Sequence, residues 1–104
     1  MTPSELTAKL RSPNPPRLLD VRQPEEHAFV ALLNSTLIPL GELPARVEEI
    51  EDWRDDEVVV YCHHGVRSAQ AVAQLRALGF TNVHNLSGGI DQWTSEVDSM
   101  LPRY

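Results

Sequence analysis

Residues 58–68 read Val58-Val59-Val60-Tyr61-Cys62-His63-His64-Gly65-Val66-Arg67-Ser68, and this stretch decides the fold of the 104-residue chain. The run VVVYC at 58–62 is apolar on both alternating faces, the pattern of a strand in the middle of a parallel sheet covered on both sides. A strand wetted on one face would alternate apolar with polar residues instead. After a short loop, Val72, Leu75 and Leu78 recur at helical spacing, Ser68 is placed to cap that helix, and Gly79 closes it just past the last turn. A buried strand feeding a helix through so short a loop is one half of a β-α-β unit.

The flanking sequence continues the alternation. Towards the amino terminus, Thr2-Pro3-Ser4-Glu5 has capping-box spacing with Pro at the first helical position, and Leu6 and Leu10 share one helix face. Arg17–Val21 (RLLDV) reads as a short strand after the turn SPNPP. A helix over about 25–33 (EEHAFVALL) follows Pro24, and Thr36-Leu37-Ile38 reads as a second strand. Leu43, Val47, Ile50 and Trp53 mark one stripe of a third helix with Pro44 near its start. Val83–Leu86 is a further strand, and the Gly88-Gly89 turn precedes a last helix containing Trp93. The expected architecture is α/β, a three-layer α/β/α sandwich with a mainly parallel central sheet, formed by residues 1–104 as a single domain.

Composition narrows the function classes. Hydrophobic residues make up 41% and charged residues 23%, ordinary globular usage that argues against disorder. Nine Lys and Arg against 15 Asp and Glu give a formal charge of -6 and a sequence pI of about 5.0. Neither nucleic acid nor an anionic membrane surface is therefore the expected partner, since both need basic patches. No apolar run approaches the roughly 20 residues of a membrane span, and the amino terminus lacks a basic-then-apolar signal. The single cysteine, Cys62, rules out an internal disulfide and a two-cysteine redox motif, and a reduced, cytoplasmic setting is expected. Charge is also uneven. Residues 48–57 (EEIEDWRDDE) carry seven acids and one Arg, whereas 58–90 contain no acid, only Arg67, Arg76, His63, His64 and His84 as basic groups. A locally positive surface around Cys62 is expected, suited to a small anionic ligand.

The loop after the central strand carries the chemistry. In open α/β sheets ligands sit at the carboxyl ends of strands, often against a helix amino terminus. A loop this short must curl, Gly65 gives it the freedom to do so, and successive backbone N–H groups then converge into an anion-binding nest. A cysteine at the rim of that nest, with Arg67 nearby, has its thiolate stabilised, and the thiolate is the nucleophile. The alternative for a lone cysteine at a strand end is a buried, inert thiol. The grouping of Cys62, Gly65, Arg67 and Ser68 at a strand-to-helix turn favours the reactive one. His63 and His64 invite a metal site with Cys62. Three consecutive residues do not readily face one ion, however, and no second ligand pair stands at zinc-site spacing, so neither a metal nor a cofactor is expected. The two histidines are read as lining the pocket mouth, His27 and His84 as structural or surface residues, and Trp53 and Trp93 as core.

The segment Cys62-His63-His64-Gly65-Val66-Arg67-Ser68 resembles the C-x-x-G-x-R-S loop of single-domain rhodaneses, a sulfurtransferase family. Leu18–His27 (LLDVRQPEEH) is similar to that family's first-strand signature, and Ile38-Pro39-Leu40 to the Ile-Pro-Leu after its second strand. Leu86-Ser87-Gly88-Gly89-Ile90 with Trp93 is similar to its closing Gly-Gly and Trp. These pieces stand in the family's order and cover the chain from about Leu18 to Trp93. One stretch departs. Where the family usually has Gly-His-Ile-Pro-Gly-Ala, this chain has Val30-Ala31-Leu32-Leu33-Asn34-Ser35, which implies a different turn and a longer helix there.

The resemblance implies double displacement. Cys62 takes the outer sulfur of thiosulfate or of a persulfide donor as a Cys62 persulfide, and a thiophilic acceptor (cyanide, a small thiol or a protein thiol) removes it. In that reading Cys62 is the catalytic residue. His63, His64, Gly65, Val66, Arg67 and Ser68 bind the substrate, with Arg67 holding the donor's oxyanion, and Asp20 and Arg22 form a supporting structural pair. Pairing of Arg67 with a surface carboxylate is disfavoured because its own segment has no acid. Two other readings stand beside the enzyme. One is a persulfide-carrier or regulatory interaction module that docks a basic partner on the acidic face from Glu48 to Glu57. The other is a cysteine phosphatase or arsenate reductase, weakened by spacing because such loops hold one more residue than the four between Cys62 and Arg67.

Overall fold

A computed structural model describes every residue from Met1 to Tyr104. Four parallel strands form one sheet in the order β2-β1-β3-β4, comprising β1 (Arg17–Asp20), β2 (Thr36–Leu37), β3 (Val58–Tyr61) and β4 (Val83–Asn85). Five α-helices accompany them: α1 (Pro3–Leu10), α2 (Pro24–Phe29), α3 (Leu43–Arg46), α4 (Val66–Ala77) and α5 (Gly89–Glu96). Short 3-10 segments occupy Leu40–Glu42 and Val47–Trp53.

Strand β3 lies in the interior of the sheet, with Val60 opposite Leu19 of β1 and Asn85 of β4, and all of its residues are buried. Its two faces feed two separate cores. Val58, Val60 and Cys62 pack with Leu43, Ile50, Val72 and Leu75 on one side. Val59 and Tyr61 pack with Leu6, Leu86, Ile90 and Trp93 on the other. Helices α3 and α4 thus cover one face and α1 and α5 the other, which is the expected three-layer sandwich. Each fully buried Val or Leu in these layers contributes about 1.5–3 kcal/mol of transfer free energy, so β3 is the strand both cores depend on.

Local signals hold at several ends. Thr2 Oγ1 accepts the Glu5 N–H at 3.1 Å and Glu5 Oε1 accepts the Thr2 N–H at 3.4 Å, closing the capping box of α1. Gly79, at φ 95°, follows the last turn of α4.

Three expectations need correction. Helix α2 stops at Phe29 rather than running on to Leu33, and Val30 is extended at φ −156°, ψ 136°. Arg22 Nη2 donates to the Val30 carbonyl at 2.6 Å and the Leu32 N–H donates to Tyr61 Oη at 3.1 Å, so tertiary partners replace the helical ones. Val30 and Leu32 are buried while Leu33 faces solvent, the alternation of extended chain. The stripe Leu43, Val47, Ile50 and Trp53 does lie against the core, but the α-helix ends at Arg46 and the rest is a 3-10 segment kinked at Ile50 (φ −120°, ψ 23°), because packing both Ile50 and Trp53 overrides helical regularity. Ser68 does not cap α4. Gly65 occupies that position and Ser68 lies in the first turn, fully buried, its hydroxyl turned to the loop.

Candidate functional site

The site forms where β3 hands over to α4 at the carboxyl end of the sheet. Gly65 takes φ 108°, a conformation that a side chain would strain, and so lets the chain reverse from strand into helix within three residues of Cys62. The reversal turns the first N–H groups of α4 back onto the cysteine. Cys62 Sγ accepts the Gly65 N–H at 3.1 Å and the Ser68 N–H at 3.4 Å, and contacts Ser68 Oγ at 3.3 Å. Asn85, on β4, braces the turn. Its Nδ2 donates to the Gly65 carbonyl at 3.0 Å, and its Oδ1 accepts from Ser68 Oγ at 2.6 Å.

Helix α5 fixes the same loop from the other side. The Ile90 N–H donates to the Cys62 carbonyl at 2.9 Å and the Asp91 N–H to the His63 carbonyl at 3.0 Å. Those carbonyls are thereby held away from the sulfur, leaving the N–H side of the loop to face it. Gly89, at φ 61°, makes the approach possible, since a Cβ there would stand 2.5 Å from the Cys62 carbonyl oxygen.

This geometry sets the ionisation of the thiol. Burial pushes the Cys62 pKa up, but the contacts with Ser68 and the N–H groups of Gly65 and His64 outweigh it, and the thiol lies below its ordinary value. The α4 amino terminus adds the positive end of a helix dipole. Cys62 is only 1% exposed, so the sulfur lies at the floor of the loop.

The charge around the mouth differs from the sequence expectation. Arg67 is held by Glu26, with Nη1 to Oε1 at 2.7 Å and Nη2 to Oε2 at 3.0 Å. The disfavoured carboxylate pair therefore exists, because the first turn of α2 supplies an acid that the Arg67 segment lacks. Tyr104 Oη donates to Glu26 Oε2 at 2.7 Å and accepts from Arg22 Nη1 at 2.8 Å. The Glu26 carboxyl is drawn down to about 2, chiefly by Arg67 against the opposing effect of burial, with the Gln23 N–H and Tyr104 hydroxyl adding to it. Asp20 and Arg22 form a fully buried pair, Nε to Oδ1 at 2.9 Å and Nη2 to Oδ2 at 2.8 Å, and His27 Nδ1 meets Asp20 Oδ2 at 2.8 Å. On the far side, Asp91 accepts from Arg103 at 2.9 Å and faces His64 at 3.7 Å. The surface is not locally positive. Acids from α2 and α5 neutralise it.

His63 and His64 do stand at the mouth, with ring centroids 3.9 Å apart. Tyr104 stacks on His63 at 3.9 Å and 10°, and Phe29 meets Tyr104 edge-on at 5.9 Å. Burial lowers the His63 pKa, which keeps it neutral near pH 7. Val66 is 70% exposed and points its side chain to solvent rather than to the sulfur. Four residues at the site went unread as such in the sequence: Glu26, Asn85, Gly89 and Tyr104. Glu26 and Gly89 lie inside quoted motifs, whereas nothing local marks Asn85 or Tyr104.

Residues 2–96 match the family model described as Rhodanese-like domain. A Sulfurtransferase from Allochromatium vinosum is 41% identical over 76 residues, covering 73% of this chain and 69% of its own length. Adenylyltransferase and sulfurtransferase UBA4 from Candida albicans is 32% identical over 93 residues, 84% of this chain, yet the chain spans only 21% of that longer relative. The crystal structure of a rhodanese-related protein from Thermoplasma volcanium superposes with a TM-score of 0.83 at 36% identity, covering 93% of this chain and 91% of the other.

Proposed function

The chain belongs to the rhodanese-like domain family, and from that premise we propose that Cys62 carries sulfane sulfur, as a persulfide, from thiosulfate or a persulfide donor to a thiophilic acceptor such as cyanide or a thiol. The observation that carries this reading is the convergence of the Gly65 and Ser68 N–H groups on Cys62 Sγ, both within 3.4 Å. Donors so placed stabilise a sulfur anion before and after transfer without rearranging.

In the first step the Cys62 thiolate attacks the donor's outer sulfur. With thiosulfate, the S–S bond breaks, its electron pair leaves on sulfite, and Cys62 becomes Cys62–S–S⁻. In the second step a cyanide or thiolate acceptor attacks the terminal sulfur and the Cys62 thiolate returns. The short span from Cys62 to Arg67 supports sulfur over phosphate as cargo, because its N–H groups close on a single atom.

Intact-mass measurement after exposure to donor tests the reading. One added sulfur atom is expected, removable by cyanide or a reductant, and Cys62→Ser shows neither adduct nor transfer. Transfer by Cys62→Ser at the wild-type rate overturns the covalent route. A persulfide that forms on Cys62 but is surrendered to no small acceptor favours the carrier reading over steady-state catalysis.

A further inference from the structure

Arg67 is the one guanidinium that the loop itself offers to a donor's anionic end, and Glu26 already fills its fork. Both terminal nitrogens of Arg67 bond the two carboxylate oxygens. Glu26 is fixed in turn by the Tyr104 hydroxyl at 2.7 Å and by the Gln23 N–H at 3.0 Å. Tyr104 cannot swing aside freely, because Arg22 holds its oxygen and His63 lies flat against its ring. The other cations of the mouth are spoken for as well, Arg22 by Asp20 and Arg103 by Asp91. An arriving dianion therefore finds each arginine of the mouth already compensated by a carboxylate.

We propose that Glu26 is a specificity-determining residue that turns the Cys62 site away from free dianions and toward organic persulfides as sulfur donors. The inference rests on the Cys62 persulfide reading and narrows it. Thiosulfate would have to displace Glu26 from a bidentate, charge-assisted pair before using Arg67, and the N–H groups of the nest are already directed at Sγ. An organic persulfide makes no such demand. Its carbon flank meets Phe29 and Tyr104, apolar surfaces that are 53% and 44% exposed at the mouth.

The transfer balances without a further reagent. Cys62–S⁻ attacks the outer sulfur of R–S–SH, a new bond forms from Sγ to that sulfur, and the donor's S–S bond breaks. The electron pair leaves on R–S⁻, which takes up the proton as R–SH, and Cys62–S–S⁻ remains.

The experiment measures the rate of sulfur loading on Cys62 by intact mass, with three donors. They are the persulfide of N-acetylcysteine amide, the methanethiosulfonate monoanion and thiosulfate, each rate divided by that donor's rate with a free thiolate in solution. For the wild type the normalised rate is expected to fall in that order, with thiosulfate about tenfold or more below the persulfide. Glu26→Gln keeps the shape but returns Arg67 its charge, and is expected to raise thiosulfate loading about tenfold relative to the persulfide. A wild type that loads fastest from thiosulfate, or a folded Glu26→Gln protein whose donor ratio is unchanged, overturns the inference. The wild-type donor order needs no variant and so stands if Glu26→Gln fails to fold. Loading from none of the three donors sinks the persulfide reading itself, an outcome distinct from loading with the donor order reversed.

Discussion

Glu26 and Arg67 meet through two hydrogen bonds, 2.7 Å and 3.0 Å long, across 41 residues of chain. The pair ties the first turn of α2 to the first turn of α4. Because β1 and β3 are neighbours in the sheet, the two helices start side by side at its carboxyl edge. One contact therefore neutralises the mouth of the site and fastens the loop that carries Cys62 to the adjoining connection.

The pair gives stability a definite pH dependence. The Glu26 carboxyl falls from an ordinary 4.5 to about 2 in the folded protein. A carboxylate lowered on folding stabilises fully above its unfolded pKa, and that contribution is lost as pH falls from there through the folded value. Side-chain exposure is 35% for Arg67 and 18% for Glu26, so solvent screening limits the contribution to about 1–2 kcal/mol. Thermal melts should show wild type more stable than Glu26→Gln near neutral pH, with the gap closing between about pH 4.5 and 2. A gap that stays constant over that window would deny Glu26 the role of a charged partner.

The contrast between this pair and β3 shows what the sequence could disclose. The strand's burial on both faces is written in VVVYC itself, because each side chain reports its own surroundings. The curl at Gly65 is equally local, since a glycine three residues past a strand-end cysteine has few other uses. The partner of Arg67 depends on which strand lies beside β3, and no property of residues 58–90 contains that fact. The end of α2 was hidden for the same reason. Val30 leaves the helix because Arg22, folded back beneath it, takes its carbonyl, and a helical pattern of apolar residues cannot register a hydrogen bond to a buried guanidinium. Tyr104 lies furthest from legibility. Its place depends on contacts with Arg22, Glu26, Phe29 and His63, none of them near it in sequence.

Asn85 offers a test of how the loop lowers the Cys62 pKa. Its amide nitrogen holds the Gly65 carbonyl and its oxygen takes the Ser68 proton. Asn85→Asp keeps the volume, removes the donor to Gly65, and places a carboxylate one hydroxyl away from the sulfur. A like charge disfavours the thiolate, so the Cys62 pKa should rise. Alkylation by iodoacetamide near neutral pH should slow by about tenfold, and its pH profile should move to higher pH. Cys62 is the only thiol, so the loss of free thiol reads this directly. An unmoved profile would mean that backbone N–H groups alone set the ionisation.

Gly89 tests whether α5 shapes the site or merely covers the sheet. At φ 61° an alanine would be strained by about 1–2 kcal/mol before any contact is considered. Its Cβ would also stand 2.5 Å from the Cys62 carbonyl oxygen and press on the backbone of His63. Neither group can retreat while the Ile90 and Asp91 N–H groups hold those two carbonyls. The strain must therefore be released by lifting the loop off α5, which turns the carbonyls free and spoils the aim of the N–H groups at Sγ. Gly89→Ala is expected to cost about 3 kcal/mol in all, lowering Tm by at least about 10 °C, and to slow sulfur loading of the protein that remains folded. Gly41, which has nothing within 4 Å of an added Cβ, provides the control, and Gly41→Ala should stay within about 0.5 kcal/mol of wild type. Equal melting temperatures for the two variants would show that the Gly88-Gly89 turn yields without moving the loop. The clamp that α5 places on the Cys62 and His63 carbonyls would then not be what aims the N–H groups at the sulfur.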